Sequence, residues 1–441
     1  MRSFGSPQSR AARVLAAATL LCAASAQAGY YTWETVTLPA SSGAACGDGS
    51  PYRVFVNKAL FSKKTVVMFE GGGACWSQGI CEGEGGILGA SNPNGVPTNY
   101  LTGLTRAFLG YVTPFTSRIN PLASIQTQSW NIVYVPYCTG DVHVGNKVAV
   151  YSDKDPSRPR TEYHRGDRNI VATANWLAAN MYRPDELLVT GFSAGGTGAT
   201  AQYATIRNAM NPKKSSLLND SGPFFSAPRN GNASLNPSVP LHDKIRDAWG
   251  LEASTGIVPR LKTQMATGGG LNTENFGSIG RGLAKQYPSD RFGYTTFQRD
   301  GVYSMFSYSY FYDSIKNAPD DKSRFDVVNN MWMKDVNQWV TDMNDLPNVG
   351  YYVAYWRGLA AAHTMTVMDF GNTGIEEAGL SSVKSFINNT LDRSAAPIKA
   401  FEHDTTGDYK RGKTDFVNIL GEWVRPYLSF LAGGLDDPYA K

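Results

Sequence analysis

The feature that most constrains the fold is a Gly-x-Ser-x-Gly motif that lies between a strand-like run and a helix-like run. Apolar residues 187–190 lead into Gly191-Phe192-Ser193-Ala194-Gly195, and residues 197–210 carry a small-residue helical pattern. A strand that turns sharply into a helix leaves no room for side chains beside the central serine, so glycines flank it. The turn also presents the hydroxyl at a helix N-terminus, which favours developing negative charge. We therefore predict that Ser193 is a nucleophile; the alternative is a turn that only connects two elements.

Short apolar runs alternate with helical patterns along much of the chain. The predicted strands are 66–69, 131–136, 187–190, 215–219 and 350–356, and the clearest predicted helix is 167–181. This alternation predicts an α/β fold, with a mostly parallel sheet and helices on both faces. Residues from about 223 to 310 lack the alternation and are rich in Asn, Ser, Gly and Pro. We predict that this segment is an insertion covering the carboxyl edge of the sheet, where ligands bind in such folds.

The first 28 residues have the pattern of a signal peptide. Arg2, Arg10 and Arg13 form a positively charged region before an apolar run at 14–24, and Ala26-Gln27-Ala28 offers a cleavage site. The apolar run is too short to span a membrane. We therefore predict a single catalytic domain over residues 29–441, in a protein that is secreted or periplasmic.

Removing that segment changes the charge balance. The whole chain carries a formal net charge of +4, and residues 1–28 hold three arginines and no acid, so residues 29–441 carry only +1. With no basic run and little net charge, the sequence indicates no nucleic-acid partner. No other apolar stretch is long enough to cross a membrane. The sequence does not predict an oligomeric state.

Four cysteines remain after the signal peptide, and they predict disulfides. They are Cys46, Cys75, Cys81 and Cys138. An even number in an oxidising compartment suggests two disulfides, for which three pairings are possible. Cys75 and Cys81 lie close together in one loop and could close a small ring, which leaves Cys46 for Cys138. A zinc site is a poor alternative, because the spacing lacks Cys-x-x-Cys and no histidine accompanies the pair. We expect no metal and no organic cofactor.

The predicted base is His363. A serine hydroxyl needs a base to take its proton, and the expected chain order is nucleophile, acid, then base. Two histidines follow the insertion, His363 and His403. His363 comes shortly after the predicted strand 350–356, where a base belongs; the alternative is a buried structural histidine. His403 has the surroundings of a solvated loop, and His143 and His164 precede the serine, so the order argues against them.

Asp313 is the predicted acid of the triad. It follows the aromatic run Tyr310-Phe311-Tyr312 and lies between the nucleophile and the base in the chain. A desolvated carboxylate at that point would orient the imidazole and stabilise the imidazolium. Asp220, at the end of the predicted strand 215–219, is the rival candidate, although it could instead organise a loop by hydrogen bonds. Asp369 follows His363 too closely for the usual order.

A glycine-rich loop supplies the predicted oxyanion hole. Gly71-Gly72-Gly73-Ala74 follows the predicted strand 66–69, and amides free of neighbouring side chains can turn toward one point. We predict that the amides of Gly72 and Gly73, with that of Ala194, hold the oxyanion. A phosphate-binding loop is the alternative, but no Lys-Ser/Thr pair follows it and no acid about 20 residues on completes a dinucleotide site.

Six short blocks combine these motifs in one order. They are Cys46-Gly47-Asp48-Gly49-Ser50-Pro51, Phe69-Glu70-Gly71-Gly72-Gly73-Ala74-Cys75, Pro136-Tyr137-Cys138-Thr139-Gly140-Asp141, Arg165-Gly166, Gly191-Phe192-Ser193-Ala194-Gly195-Gly196 and Asp220-Ser221-Gly222. Together they resemble the pectin acetylesterase/Notum family of carboxylesterases, closely over roughly 46–222 and more loosely over 310–363. The resemblance implies an α/β-hydrolase-like fold and a triad of Ser193, Asp313 and His363. It also implies an oxyanion hole at Gly72, Gly73 and Ala194, and the disulfides Cys75–Cys81 and Cys46–Cys138.

The expected function is therefore that of a secreted serine carboxylesterase. By resemblance, the expected substrate is an O-acetyl ester of a polysaccharide, although a net charge near +1 gives no strong steering toward acidic pectin. A lipase or polyester depolymerase, with an acyl groove under the 223–310 cover, is the first alternative. A non-catalytic secreted binding protein on a hydrolase scaffold is the second.

Overall fold

The predicted alternation of strands and helices is present in the structure, a computed structural model that describes residues 30–84, 89–101, 113–118, 124–357, 362–367 and 370–405. The predicted signal peptide at 1–28 and the C-terminal residues 406–441 lie outside these ranges. The strands are β1 (Trp33–Thr37), β2 (Arg53–Asn57), β3 (Lys64–Phe69), β4 (Asn131–Val135), β5 (Lys147–Tyr151), β6 (Arg160–His164), β7 (Glu186–Phe192), β8 (Lys214–Asp220), β9 (Arg291–Phe297), β10 (Val349–Ala354) and β11 (Lys399–Phe401). The α-helices are α1 (Gln78–Cys81), α2 (Gly166–Asn180), α3 (Ala194–Met210), α4 (Val239–Ala248), α5 (Ile257–Gln264), α6 (Ile279–Gln286), α7 (Tyr303–Tyr308), α8 (Asp313–Lys316), α9 (Asp321–Asn344) and α10 (Val383–Leu391).

Nine of these strands form one sheet, in the order β1-β2-β4-β3-β7-β8-β9-β10-β11. Every pairing from β4 to β11 is parallel, whereas β2 pairs antiparallel with both β1 and β4. Strands β5 and β6 form a separate antiparallel hairpin. The α/β fold with a mostly parallel sheet is therefore confirmed.

Helices cover both faces of the sheet, as two successive residues of β9 show. Phe292 packs against Tyr203 of α3, with ring centroids 5.2 Å apart. The next residue, Gly293, faces the other way, and a Cβ on it would lie 2.6 Å from Oγ1 of Thr390 in α10. Successive residues of a strand point to opposite faces, so α3 and α10 lie on opposite sides. Buried parallel strands of this kind form the core between two helical layers.

The prediction that 223–310 is wholly an insertion is wrong in its last third. Residues 291–297 form β9, which lies between β8 and β10 and pairs parallel with both. Its sequence, Arg-Phe-Gly-Tyr-Thr-Thr-Phe, has glycine, threonines and aromatics in place of a Val/Ile/Leu run, so it lacks the pattern expected of a buried strand. The cover proper ends before β9 and holds helices α4, α5 and α6. The residues after β9 consequently belong to the carboxyl edge of the sheet.

Both expected disulfides are present. Cys46 is bonded to Cys138, and Cys75 is bonded to Cys81 within one loop. The ring between Cys75 and Cys81 contains α1 and follows directly on the glycine-rich loop. Among the residues that the structure describes, no helix is both long and apolar enough to cross a membrane.

Candidate active site

The candidate site lies at the carboxyl edge of the parallel strands, where five successive strand ends deliver its residues. Loop 70–74 follows β3 and Ser193 follows β7. Asp220 is the last residue of β8, and Asp300 lies three residues beyond β9. His363 comes after β10. Because these strands are parallel neighbours, their carboxyl ends meet at one edge, which brings residues far apart in sequence into one site.

Ser193 has the strained backbone of a nucleophile elbow. Its φ is 55° and its ψ is −130°, a conformation rarely adopted by residues other than glycine. Only glycine fits at the two flanking positions. A Cβ on Gly191 would lie 2.2 Å from the carbonyl oxygen of Gly195, and a Cβ on Gly195 would lie 2.2 Å from the carbonyl oxygen of Phe69. The Ser193 amide donates to the Asp220 carbonyl at 2.8 Å, which fixes the turn. The elbow expected from the motif is present.

His363 is paired with Asp300. The Nδ1 atom of His363 lies 2.8 Å from Oδ2 of Asp300, whose side chain is fully buried. The other oxygen of Asp300 accepts the amides of Val302 and Tyr303 at 3.1 and 2.8 Å, which orients the carboxylate. With a proton on Nδ1, the Nε2 atom is free to accept one. In the described part of the chain Nε2 has no hydrogen-bond partner, and His363 lines the same cavity as Ser193.

The prediction that Asp313 orients His363 is wrong. Asp313 begins α8, its side chain is 87% exposed, and its carboxylate pairs with Lys316 at 3.6 Å. An exposed carboxylate cannot stabilise a buried imidazolium as a desolvated one does. Asp300 satisfies the same chain order, since it also lies between Ser193 and His363. The sequence does not reveal its position because β9 lacks the pattern of a buried strand; the one local signal is an aspartate followed by glycine just past the end of that strand.

Asp220 organises the loop that carries His363. Its carboxylate accepts the amides of Met365 and Thr366 at 2.9 and 2.8 Å and the Thr366 hydroxyl at 2.7 Å. It also accepts the Thr295 hydroxyl from β9 at 2.7 Å. The Asp220 carbonyl also accepts the Ser193 amide. Asp220 therefore connects the turn that carries Ser193 to the loop that carries His363. The loop-organising alternative considered for Asp220 is the one that the hydrogen bonds support.

The glycine-rich loop presents free amides to the cavity. Gly72 and Gly73 have φ angles of 140° and 86°, which side chains disfavour. These two residues and Ala194, at the start of α3, line the cavity with Ser193. Among the described residues, no protein acceptor takes a hydrogen bond from any of the three amides. They are therefore available to a ligand oxygen, as an oxyanion hole requires.

A buried polar network holds this loop from behind. Glu70 accepts the Tyr137 amide at 2.7 Å and the Asn92 side chain at 2.9 Å, and the Tyr100 hydroxyl also donates to it. Burial raises the pKa of Glu70 to about 6. The hydroxyl of Ser91 donates to the Gly71 carbonyl at 2.5 Å. These contacts fix the backbone of the loop without occupying its amides.

The two histidines that precede the serine are structural. Burial lowers the pKa values of both His143 and His164 to about 4. The Nε2 atom of His143 lies 2.9 Å from the Glu70 carbonyl. His164 lies between the Thr139 carbonyl and the Tyr151 hydroxyl, at 2.9 and 2.8 Å. Neither histidine lines the cavity at Ser193.

The described residues offer one geometric cluster of possible metal ligands, and it cannot hold a metal as it stands. Its members are Cys75, Cys81 and Glu162. The two sulfurs are bonded to each other, so neither is the thiolate that a metal would need.

An apolar cavity of about 500 Å³ is continuous with the candidate catalytic residues. The cover supplies much of its wall, through Phe224, Leu241, Ile245, Trp249, Ile257 and Phe276. The indole of Trp249 donates to the Cys75 carbonyl at 2.7 Å, which ties the cover to the disulfide loop beside the glycine-rich segment. The cover segment thus forms a pocket over the sheet edge, as expected for its N-terminal two thirds.

Known proteins share this combination of sequence and fold. A family model described as Pectinacetylesterase matches residues 24–239. Palmitoleoyl-protein carboxylesterase NOTUM of Schmidtea mediterranea is 24% identical over 188 residues, which are 42% of this chain and 32% of the relative. The enzyme of the same name from Drosophila melanogaster is 25% identical over 217 residues, 48% of this chain and 30% of the relative. The chain belongs to the pectin acetylesterase/Notum family.

The fold of the family is also that of this chain. The solved structure of the Wnt deacylase Notum from Drosophila superimposes with a TM-score of 0.54, at 16% identity, over 85% of this chain and 97% of the other. At that identity the likeness shows the fold alone. The chain spans about a third of the length of the curated family members that it matches.

Proposed function

We propose that this protein is a serine carboxylesterase that hydrolyses esters of medium- or long-chain acyl groups. The observation that carries the proposal is the apolar cavity of about 500 Å³ continuous with Ser193, His363 and the free amides. Ligand pockets of enzymes have this size and combine apolar walls with a few placed polar groups. Membership of a family that contains named carboxylesterases supports the reaction class.

The contacts support a mechanism through an acyl-enzyme. Oγ of Ser193 attacks the ester carbonyl while Nε2 of His363 takes its proton. Asp300, hydrogen-bonded to Nδ1, stabilises the imidazolium so formed. The amides of Gly72, Gly73 and Ala194 hold the negative oxygen of the tetrahedral intermediate. The imidazolium then gives its proton to the leaving alcohol, and water, activated by the same histidine, hydrolyses the acyl-enzyme to release the acid and restore Ser193.

The cavity favours a longer acyl group than acetate. An acetyl group places one methyl group beyond the reacting carbonyl, whereas the cavity has room for roughly a dozen or more heavy atoms, taking about 30 Å³ for each as for a water molecule in the liquid. Each buried methylene stabilises a complex by about 0.8 kcal/mol, or roughly fourfold in kcat/KM. The expected preference therefore rises with chain length until the cavity is full.

An O-acetyl ester of a polysaccharide is the second candidate substrate. The description of the matching family supports it, whereas the names of the two Notum relatives support a lipid acyl group. The two candidates differ in the acyl-chain preference that they predict. The two disulfides, together with the predicted signal peptide, support a protein that is secreted or periplasmic.

The test is a series of p-nitrophenyl esters from acetate to dodecanoate, measured as kcat/KM. We expect a rise along the series in the wild type and loss of turnover in Ser193→Ala. Leu241→Trp places a larger side chain in the cavity wall and should lower kcat/KM for the longer esters only. Leu235→Trp is the matched control, because Leu235 lies in the same cover and is 63% exposed. A maximum at acetate would refute the acyl-chain proposal, and unchanged turnover in Ser193→Ala would refute the reaction class.

A further inference from the structure

One polar side chain lies in the apolar wall that the cover contributes. His242, on α4, lines the cavity and is 7% exposed. Its ring lies between two aromatic rings, with centroids 6.5 Å from Phe224 and 5.8 Å from Phe276. Packing alone would be served by a phenylalanine at this position. The imidazole adds a hydrogen-bonding group to a surface that otherwise suits a hydrocarbon chain.

Within the part of the chain that the structure describes, neither ring nitrogen of His242 has a hydrogen-bond partner. Nδ1 is buried without a hydrogen bond, whereas Nε2, which also has none, is not fully buried and is the nitrogen that an occupant of the cavity can reach. Burial, with the nearby Arg246 charge, lowers the pKa of His242 to about 3, so the ring is neutral and offers one donor and one acceptor. Arg246 is engaged elsewhere, with Glu252 and the Thr273 carbonyl. A buried polar group left without a hydrogen bond destabilises the folded protein, so a ligand that supplies the bond is favoured.

Outside the candidate catalytic groups, the hydroxyls of two tyrosines and a threonine in the cavity wall have partners in the protein. The hydroxyls of Thr197 and Tyr303 pair with each other at 2.9 Å. The Tyr310 hydroxyl donates to the Glu84 carbonyl at 3.0 Å. His242 therefore differs from these hydroxyls in having, at Nε2, hydrogen-bonding capacity that an occupant of the cavity can use.

We propose that the cavity selects acyl chains that carry a hydroxyl group, which hydrogen-bonds to the ring of His242. The inference rests on the esterase function proposed above and narrows its substrate class to hydroxyacyl esters. A hydroxyl can donate or accept, so it suits either neutral tautomer of the imidazole. A neutral hydrogen bond contributes about 0.5–1.5 kcal/mol net, which corresponds to about 2- to 13-fold in kcat/KM.

The test compares p-nitrophenyl dodecanoate with monohydroxydodecanoates whose hydroxyl is moved outward along the chain, each corrected for its alkaline hydrolysis rate. We expect at least one position to exceed the unsubstituted ester by about 2- to 13-fold. His242→Phe should abolish that ratio, and His242→Gln, which keeps a donor and an acceptor, should retain part of it. Slower turnover of every hydroxy ester, or the same preference in His242→Phe, would overturn the proposal.

A binding measurement separates this inference from the esterase proposal. Calorimetric titration of Ser193→Ala with dodecanol and with dodecanediols needs no turnover. Tighter binding of one diol, lost when His242→Phe is added, supports the hydroxyl site even if no ester is hydrolysed. Equal affinities overturn it even if Ser193 proves to be the nucleophile.

Discussion

Replacing Asp300 by asparagine tests the pairing on which the mechanism depends. The substitution keeps the size of the side chain and an oxygen for the Val302 and Tyr303 amides. It places an NH₂ group against Nδ1 of His363, where the carboxylate oxygen now lies at 2.8 Å. That amide donates rather than accepts, so it favours the tautomer with the proton on Nε2. A protonated Nε2 cannot take the proton of Ser193.

The expected loss is large. The same replacement in a serine protease triad lowers kcat about 10⁴-fold, through the same change of tautomer. We expect Asp300→Asn to lower kcat by about 10³- to 10⁴-fold, or roughly 4–5.5 kcal/mol in the activation barrier. Asp313→Asn is the matched control: its side chain is 87% exposed and its ion pair with Lys316 is at the surface, where such pairs contribute about 0–1 kcal/mol. Its kcat should stay within about twofold of the wild type.

The assay is steady-state hydrolysis of p-nitrophenyl octanoate, with urea unfolding of each variant to show that it is folded. Folded Asp300→Asn with kcat within tenfold of the wild type would refute the assignment of the acid. An equal loss in Asp313→Asn would show that the exposed carboxylate acts through a conformation other than this one.

Three further predictions concern the supporting structure. Asp220→Ala should lower the free energy of unfolding and should lower kcat by more than about tenfold, because the buried amide and hydroxyl of Thr366 lose their acceptor. Urea unfolding measures the first effect and steady-state kinetics the second. An unchanged kcat would exclude the positioning role. Gly72→Ala should lower kcat by about 10²- to 10³-fold, because its Cβ would lie 1.8 Å from the Ser91 hydroxyl and displace an oxyanion amide. Gly269→Ala is the control, because Gly269 also has a positive φ but no atom lies within 4 Å of its Cβ. His164 binds a proton in the unfolded chain below pH 6.5 but in the native state only near pH 4, so the free energy of unfolding should fall by up to about 3 kcal/mol from this group as the pH drops through that range. His164→Asn should flatten the fall in urea titrations, and an unchanged slope would contradict the assignment.

The local structures that the sequence predicted correctly are those set by the geometry of a short segment. The turn at Ser193 needs its flanking glycines whatever surrounds it, and the Gly72–Gly73 loop needs positive φ, so both are visible as residue patterns. The paired cysteines followed from their number and spacing. The prediction of His363 as the base rests on chain order after a recognisable strand, and the structure places that side chain beside Asp300.

The parts that sequence missed are set by tertiary context. Strand β9 is buried between two parallel neighbours, but α10 packs closely against Gly293. Because a glycine stands where an apolar side chain would be expected, the strand lacks a continuous hydrophobic pattern. Without β9, the sequence does not place Asp300 at the edge of the sheet, and chain order alone favours the exposed Asp313. The role of His242 depends on which side of α4 faces the cavity, and the cavity exists only once the cover is folded over the sheet.

The most direct test of the central claim is the reaction of the protein with alkyl fluorophosphonates of short and long chain. These reagents phosphonylate an activated serine and leave the chain in the acyl site. We predict one adduct per chain, located on Ser193 by peptide mapping, and a faster inactivation rate for the dodecyl than for the ethyl reagent. An adduct on another residue, labelling of Ser193→Ala at the wild-type rate, or faster inactivation by the ethyl reagent would contradict the account.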